Sequence, residues 1–150
     1  MRLTDQLTPS VIKIGLQSED KEELFEEMVQ LLVHAGRITD REAVLEALIE
    51  RESQMTTGIA HWIGLPHGKV EGIEGLILAL GISAKGIDYD PLDGEPVYVV
   101  LMVLAEADNP GPHIEALAEI SRLFSTPGVT EHLREAKTPE AVLQLIRAEE

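Results

Sequence analysis

The chain holds five histidines and no cysteine. Thiolate nucleophiles and cysteine-bound zinc are therefore excluded, and imidazole is the side chain able to act as a neutral nucleophile near pH 7. The five are His34, His61, His67, His113 and His132. His67 stands in the run Leu65-Pro66-His67-Gly68, between a residue of fixed φ and one without a Cβ, so backbone can approach its ring closely. Its plain structural reading is a loop histidine. His113 follows Asn109-Pro110-Gly111-Pro112 and opens a helical pattern, where a histidine can simply bond nearby backbone. His34 and His132 lie inside helical patterns and are expected at the surface. Arg51, near the end of another such pattern, reads by itself as a member of a solvated face. No Walker loop, Gly-x-Gly-x-x-Gly stretch or His-Glu-x-x-His pair is present. That argues against nucleotide hydrolysis, dinucleotide redox chemistry and zinc proteolysis. His61, His67 and His113 would bind a metal only if all three converged with the right geometry, and no metal is expected.

Around these residues, Val11 to Leu16 is β-branched and short, hence a strand, and Ser18, Glu19 and Asp20 then open a helix. In it Leu24, Phe25, Met28, Leu31 and Leu32 form one apolar face, with Gly36 as the stop. Thr39 and Glu42 have capping-box spacing for a second helix, with Val44, Leu45, Leu48 and Ile49 as its stripe and Arg51 near its end. From Thr56 to Gly75 the mixture of Gly, Thr, His and Pro predicts loops and short strands. Leu76–Ile82 and Val97–Leu104 are near-continuous apolar strands, separated by the turn signal Pro91-Leu92-Asp93-Gly94. After the breaker at 109–112, a helix from His113 to Phe124 is expected to turn Ile114, Leu117, Ala118, Ser121 and Phe124 inward. Val129 to Leu133 and a closing helix complete the chain, the latter capped by Thr138-Pro139 and carrying Val142, Leu143 and Ile146. Buried strands require helices over both faces, which predicts an α/β three-layer sandwich with a mixed sheet.

The 150 residues fit one domain, which can bury roughly two thirds of its unfolded surface. With 44% apolar and 26% charged residues and no apolar run near the ~20 residues of a membrane helix, the composition is that of a globular protein without direct membrane insertion. The N-terminus lacks a secretory pattern, so the expected location is cytoplasmic. Twelve basic against 27 acidic residues give a net charge of −15, which excludes nucleic acid as a ready partner and favours a protein with a basic face.

The stretch from Arg51-Glu52 through Thr57-Gly58-Ile59 to Leu65-Pro66-His67-Gly68-Lys69 resembles the signature of type-2 enzyme IIA domains of the phosphotransferase system, the fructose, mannitol and nitrogen-regulatory family. Ile87 to Val97 and His113 to Ile120 sit where that family has its further motifs, so the likeness covers nearly the whole chain in order. It implies a mixed sheet flanked by helices and a phosphohistidine carrier, with no cofactor. His67 falls on the family's phosphorylated histidine, attacking through Nε2, His113 on its second active-site histidine and Arg51 on the arginine near the phosphate. Thr57 and nearby N–H groups are expected to hold phosphoryl oxygens. The donor so implied is the phosphocarrier HPr or its nitrogen-branch paralogue, and the onward partners are IIB proteins or regulatory targets. A domain standing without IIB or membrane segments resembles the nitrogen-regulatory branch. A sugar-import IIA, and a binding module that keeps the fold without transfer, are the alternatives.

One turn departs from that family. Where Gly-Ile-Gly-Asn-Gly is usual, Gly58-Ile59-Ala60-His61-Trp62 stands here. A tryptophan at positive φ would be strained, so the loop is expected to take another path. Ile59, Trp62, Ile63 and Leu65 are expected as an apolar docking rim near His67, with Trp62 either a contact residue or packed inward.

Overall fold

In a computed structural model, residues 1–59, 61–90 and 93–150 are described. Ala60 and the Pro91-Leu92 half of the expected turn lie outside them. The described residues form six strands and five α-helices: β1 (Ile12–Ile14), α1 (Lys21–His34), α2 (Arg41–Gln54), β2 (Gly58–Ile59), β3 (Ile63–Gly64), β4 (His67–Val70), β5 (Leu76–Ile87), β6 (Val97–Glu106), α3 (Pro110–Ser125), α4 (Val129–Glu135) and α5 (Pro139–Glu149). The strands make one mixed sheet in the order β1-β5-β6-β3-β2, with β4 also on β6. β5 and β6 run antiparallel at its centre and are buried along most of their length, as their unbroken apolar character requires. Helices α1 and α2 pack on each other and against β5 and β4, while α3, α4 and α5 cover β6, β5 and β1. The α/β sandwich read from the sequence is the architecture found.

Several boundaries move, each for a local reason. Val11 belongs to a 3₁₀ turn over Pro9–Val11, which shortens the first strand. Asp20, the last of the three residues expected to open α1, caps it, and Asp40 rather than Thr39 caps α2, their carboxylates accepting from the N–H groups of Glu23 and Ala43. A carboxylate is the stronger acceptor for those orphan N–H groups. Helix α1 does stop at Gly36, which takes φ +73° while its N–H donates to Val33 and that of Arg37 donates to Leu32. β5 continues past Ile82 to Ile87 through a register irregularity.

Helix α3 differs most. It begins at Pro110, inside the supposed breaker, because first-turn residues need no N–H to donate within the helix. Its fully buried residues are His113, Ala116, Ile120 and Leu123; Leu117 and Phe124 of the expected face pack on the core half-buried, whereas Ile114 is 64% exposed. The stripe lies one residue, about 100° of helix rotation, from the expected one. Counting apolar residues penalises an inward histidine, and an inward histidine is what this helix has.

Candidate functional site

The segment from Ile63 to Val70 is a parallel neighbour of β6 interrupted at Leu65-Pro66. Ile63 lies opposite Val99 and His67 opposite Val103, four residues along on each side, so the register survives the interruption. Pro66 has no N–H for the ladder, but its carbonyl accepts from Val103 N–H at 3.0 Å. His67 thus begins β4 and is not a loop residue.

Gly68 explains how α2 reaches it. A Cβ at Gly68 would lie 3.2 Å from the carbonyl carbon and oxygen of Ala47, closer than ordinary packing allows. Without one, α2 rests on β4 at Ala47, and Arg51, one helical turn on, reaches the Nε2 edge of the His67 ring. Arg51 Nε–H donates to His67 Nε2 at 3.1 Å, and its Nη1 donates to the Met55 carbonyl at 3.0 Å. On the other side of the ring, Nδ1–H donates to the Leu65 carbonyl at 2.7 Å. A donating Nδ1 makes Nε2 the unprotonated nitrogen, in agreement with its role as acceptor from Arg51. Burial holds the His67 pKa below 6.5, with the Arg51 charge acting the same way and the Leu65 carbonyl and Glu52 opposing.

His113, 7% exposed, meets His67 edge to face with ring centroids 5.5 Å apart. Its pKa is also lowered, first by burial and then by His67 and Lys69. Among the described residues its Nδ1 is buried without a hydrogen-bond partner. Ala47, Glu50, Arg51, Gln54, Gly68 and Lys69 line a depression of about 460 Å³ with the two histidines. Glu50, Gln54 and Lys69 were not singled out from the sequence, although 47, 50, 51 and 54 have the spacing of one helix face. Three of the expected site residues, His67, His113 and Arg51, therefore meet in one cleft.

Thr57 lies behind it. Its hydroxyl, expected at the phosphate, is 2.6 Å from Glu52 Oε2 and 2.7 Å from the Tyr89 hydroxyl, and its N–H donates to Glu52 Oε1 at 2.8 Å. The carboxylate only accepts, so Thr57 donates to it and Tyr89 donates to Thr57. Burial and the Glu52 charge push the Tyr89 phenol pKa upward, which keeps it a donor. Lys21 Nζ pairs with Glu52 at 2.9 Å. Glu52 and Tyr89 both lie in stretches quoted for the family likeness, but nothing in their spacing announces a buried network.

Trp62 corrects the expectation of a rerouted turn. It adopts φ +71° itself. Its ring packs edge to face on Tyr98 at 5.8 Å, and the Arg134 guanidinium lies 4.2 Å from the Trp62 ring centre and 3.6 Å from that of Tyr98. Of the apolar rim, Ile63 and Leu65 belong to the core, and Ile59 and Trp62 are half-buried. Among the described residues no three His, Asp or Glu side chains are grouped to hold a metal, and no helix is long and apolar enough to cross a membrane.

Comparison with known proteins identifies the family and matches the fold. Residues 5–149 match the family described as phosphoenolpyruvate-dependent sugar phosphotransferase system, EIIA 2. The fructose-specific EIIABC component of Bacillus subtilis is 38% identical over 146 residues, which are 97% of this chain and 23% of that protein. The fructose-specific EIIA component of Haloferax volcanii is 36% identical over 149 residues, 97% of each chain. The nitrogen regulatory protein of Bradyrhizobium diazoefficiens is 29% identical over 97% of this chain and 95% of its own. The crystal structure of nitrogen regulatory protein IIA-Ntr from Neisseria meningitidis superposes with a TM-score of 0.87 at 27% identity, covering 95% of this chain and 97% of that one. With a match that runs through every strand and helix described above, the chain belongs to the type-2 EIIA family of the phosphotransferase system.

Proposed function

We propose that this protein is a phosphoryl carrier that accepts its group on Nε2 of His67. The observation that carries the reading is the ring itself: Nδ1–H is committed to Leu65, the Nε2 lone pair is unprotonated, and a guanidinium stands beside it. In the transfer that lone pair forms the bond to phosphorus, while the bond from phosphorus to the donor breaks and its electron pair leaves with the donor. Arg51 must first release Nε2, and its N–H groups are then placed for the equatorial oxygens, where charge stabilisation matters most. His113 lines the same cleft with an unmet hydrogen-bonding capacity, an imbalance of about 1–3 kcal/mol in a buried group. Thr57 acts from behind the ring instead of holding the phosphate with its hydroxyl.

The donor in this reading is HPr or its nitrogen-branch paralogue. For the onward step, identities of 38% and 36% to fructose-specific proteins favour a sugar-import role that passes the group to a IIB partner. A nitrogen-regulatory role, the one expected from the sequence, keeps its support in the likeness to IIA-Ntr and to nitrogen regulatory proteins. Incubation with phosphoenolpyruvate, enzyme I and HPr should add one acid-labile phosphoryl group, absent from His67→Ala. Label that persists in His67→Ala, or that maps to His61, would sink the assignment. Onward transfer to a fructose IIB protein supports import, and none to any IIB protein supports regulation.

A further inference from the structure

Both ring nitrogens of His67 trace back to consecutive residues of α2. Arg51 meets Nε2 directly. Glu52, whose side chain is 7% exposed, reaches Nδ1 through three links. Its carboxylate takes the N–H and the hydroxyl of Thr57, the Thr57 carbonyl takes Leu65 N–H at 3.0 Å, and the Leu65 carbonyl takes His67 Nδ1–H. The last link matters because Leu65 precedes Pro66 at the break in the strand. There Pro66 keeps one bond to β6 through its carbonyl, while Leu65 is anchored through Thr57 and the His67 ring.

We propose that Glu52 is a positioning residue: by gripping Thr57 at two points it fixes the Leu65 carbonyl that selects the Nδ1–H tautomer of His67. It touches neither ring nor phosphate. Lys21, from α1, holds Oε1 at 2.9 Å and keeps the carboxylate aimed at Thr57, while Tyr89 completes the hydroxyl's bonding. Tautomer choice is the quantity at stake, since a ring protonated at Nε2 has no lone pair there to attack phosphorus. Rigid support of a reacting group is worth much, because misplacement by about 1 Å can cost ~10²-fold in rate.

The inference rests on His67 as the acceptor, and imidazole ¹⁵N chemical shifts test it without any transfer reaction. In the intact protein, they should report His67 as the Nδ1–H tautomer. Glu52→Ala should mix the two tautomers and slow phosphoryl acceptance ~10-fold or more, and Glu52→Gln, which retains an acceptor for Thr57 N–H, should restore both to within ~3-fold. Thr57→Val, which deletes one of the two grips and keeps the N–H, should fall between them and serves if Glu52→Ala does not fold. A folded Glu52→Ala or Thr57→Val protein with unchanged ¹⁵N shifts overturns the proposal. A normal tautomer pattern with phosphate found on another residue would instead refute the acceptor assignment and leave the positioning role standing.

Discussion

At Trp62 a left-handed backbone is held by stacked side chains, whereas five residues on, at His67, a strand backbone presents a ring held by directed hydrogen bonds. Both regions flank the same short strand beside β6. At the first, a non-glycine residue at positive φ costs about 1–2 kcal/mol. An edge-to-face ring pair contributes about 0.5–1.5 kcal/mol and a cation over the rings about 0.5–2 kcal/mol, so the stack can offset the strain. Stacking tolerates small shifts. At His67 the orientation of one lone pair is what counts, and only hydrogen bonds fix it to a few tenths of an ångström. The contrast separates a region that needs cohesion from one that needs aim.

Three substitutions and a titration probe that contrast. Arg51→Ala should slow phosphoryl acceptance by ~10²-fold or more with little change in melting temperature, and an unchanged rate would return Arg51 to a surface role. Trp62→Ala should do the opposite, lowering stability by about 2 kcal/mol in urea titrations while leaving the rate within ~3-fold, because it loses the stack and keeps the strain. Trp62→Gly should recover about 1 kcal/mol of that loss, reversing the usual order of alanine over glycine. If alanine proves the more stable variant, strain at Trp62 is not significant. The smallest effect concerns pH. His67 and His113 have folded pKa values below 6.5, so just under that pH the unfolded chain binds more protons than the native one. Stability should therefore decline as the pH falls through 6.5 toward the folded values, and less steeply in a His67→Gln, His113→Gln double variant. Parallel decline in both proteins, followed by denaturant midpoints, would assign the acid sensitivity to other groups.

The two central strands were legible because their apolar runs are unbroken, and α1, α2 and α5 because apolar residues recur at helical spacing, whereas Asn109-Pro110-Gly111-Pro112 misled because a proline that ends one helix can equally begin another. His67 and Arg51 were legible through the likeness of their motif, not through chemistry visible in either residue. The inward turn of His113 was hidden by its polarity, which argues for the surface until a cleft is known. Glu52, Thr57 and Tyr89 converge from the last turn of α2, the residue before β2 and the segment just past β5. No local spacing encodes such a meeting. At Trp62 the glycine rule led to the expectation of a rerouted loop, because it could not show the partners, Tyr98 and Arg134, that come from β6 and α4 and hold the residue at positive φ.

The contact between Gly68 and Ala47 also sets a mechanical scale. It is the closest approach of α2 to β4 at the site, so a rocking of α2 would turn about it, and Arg51 lies four residues beyond, a lever arm of about 6 Å at 1.5 Å per residue. With so short an arm, a rocking of about 10° moves the guanidinium by only about 1 Å, near the limit at which catalytic alignment begins to suffer. The far end of the same helix, at Arg41, lies six residues the other way and swings about one and a half times as far for the same angle. A displacement imposed at the Arg41 end, as by a docking protein, would reach the Arg51 end reversed and about a third smaller.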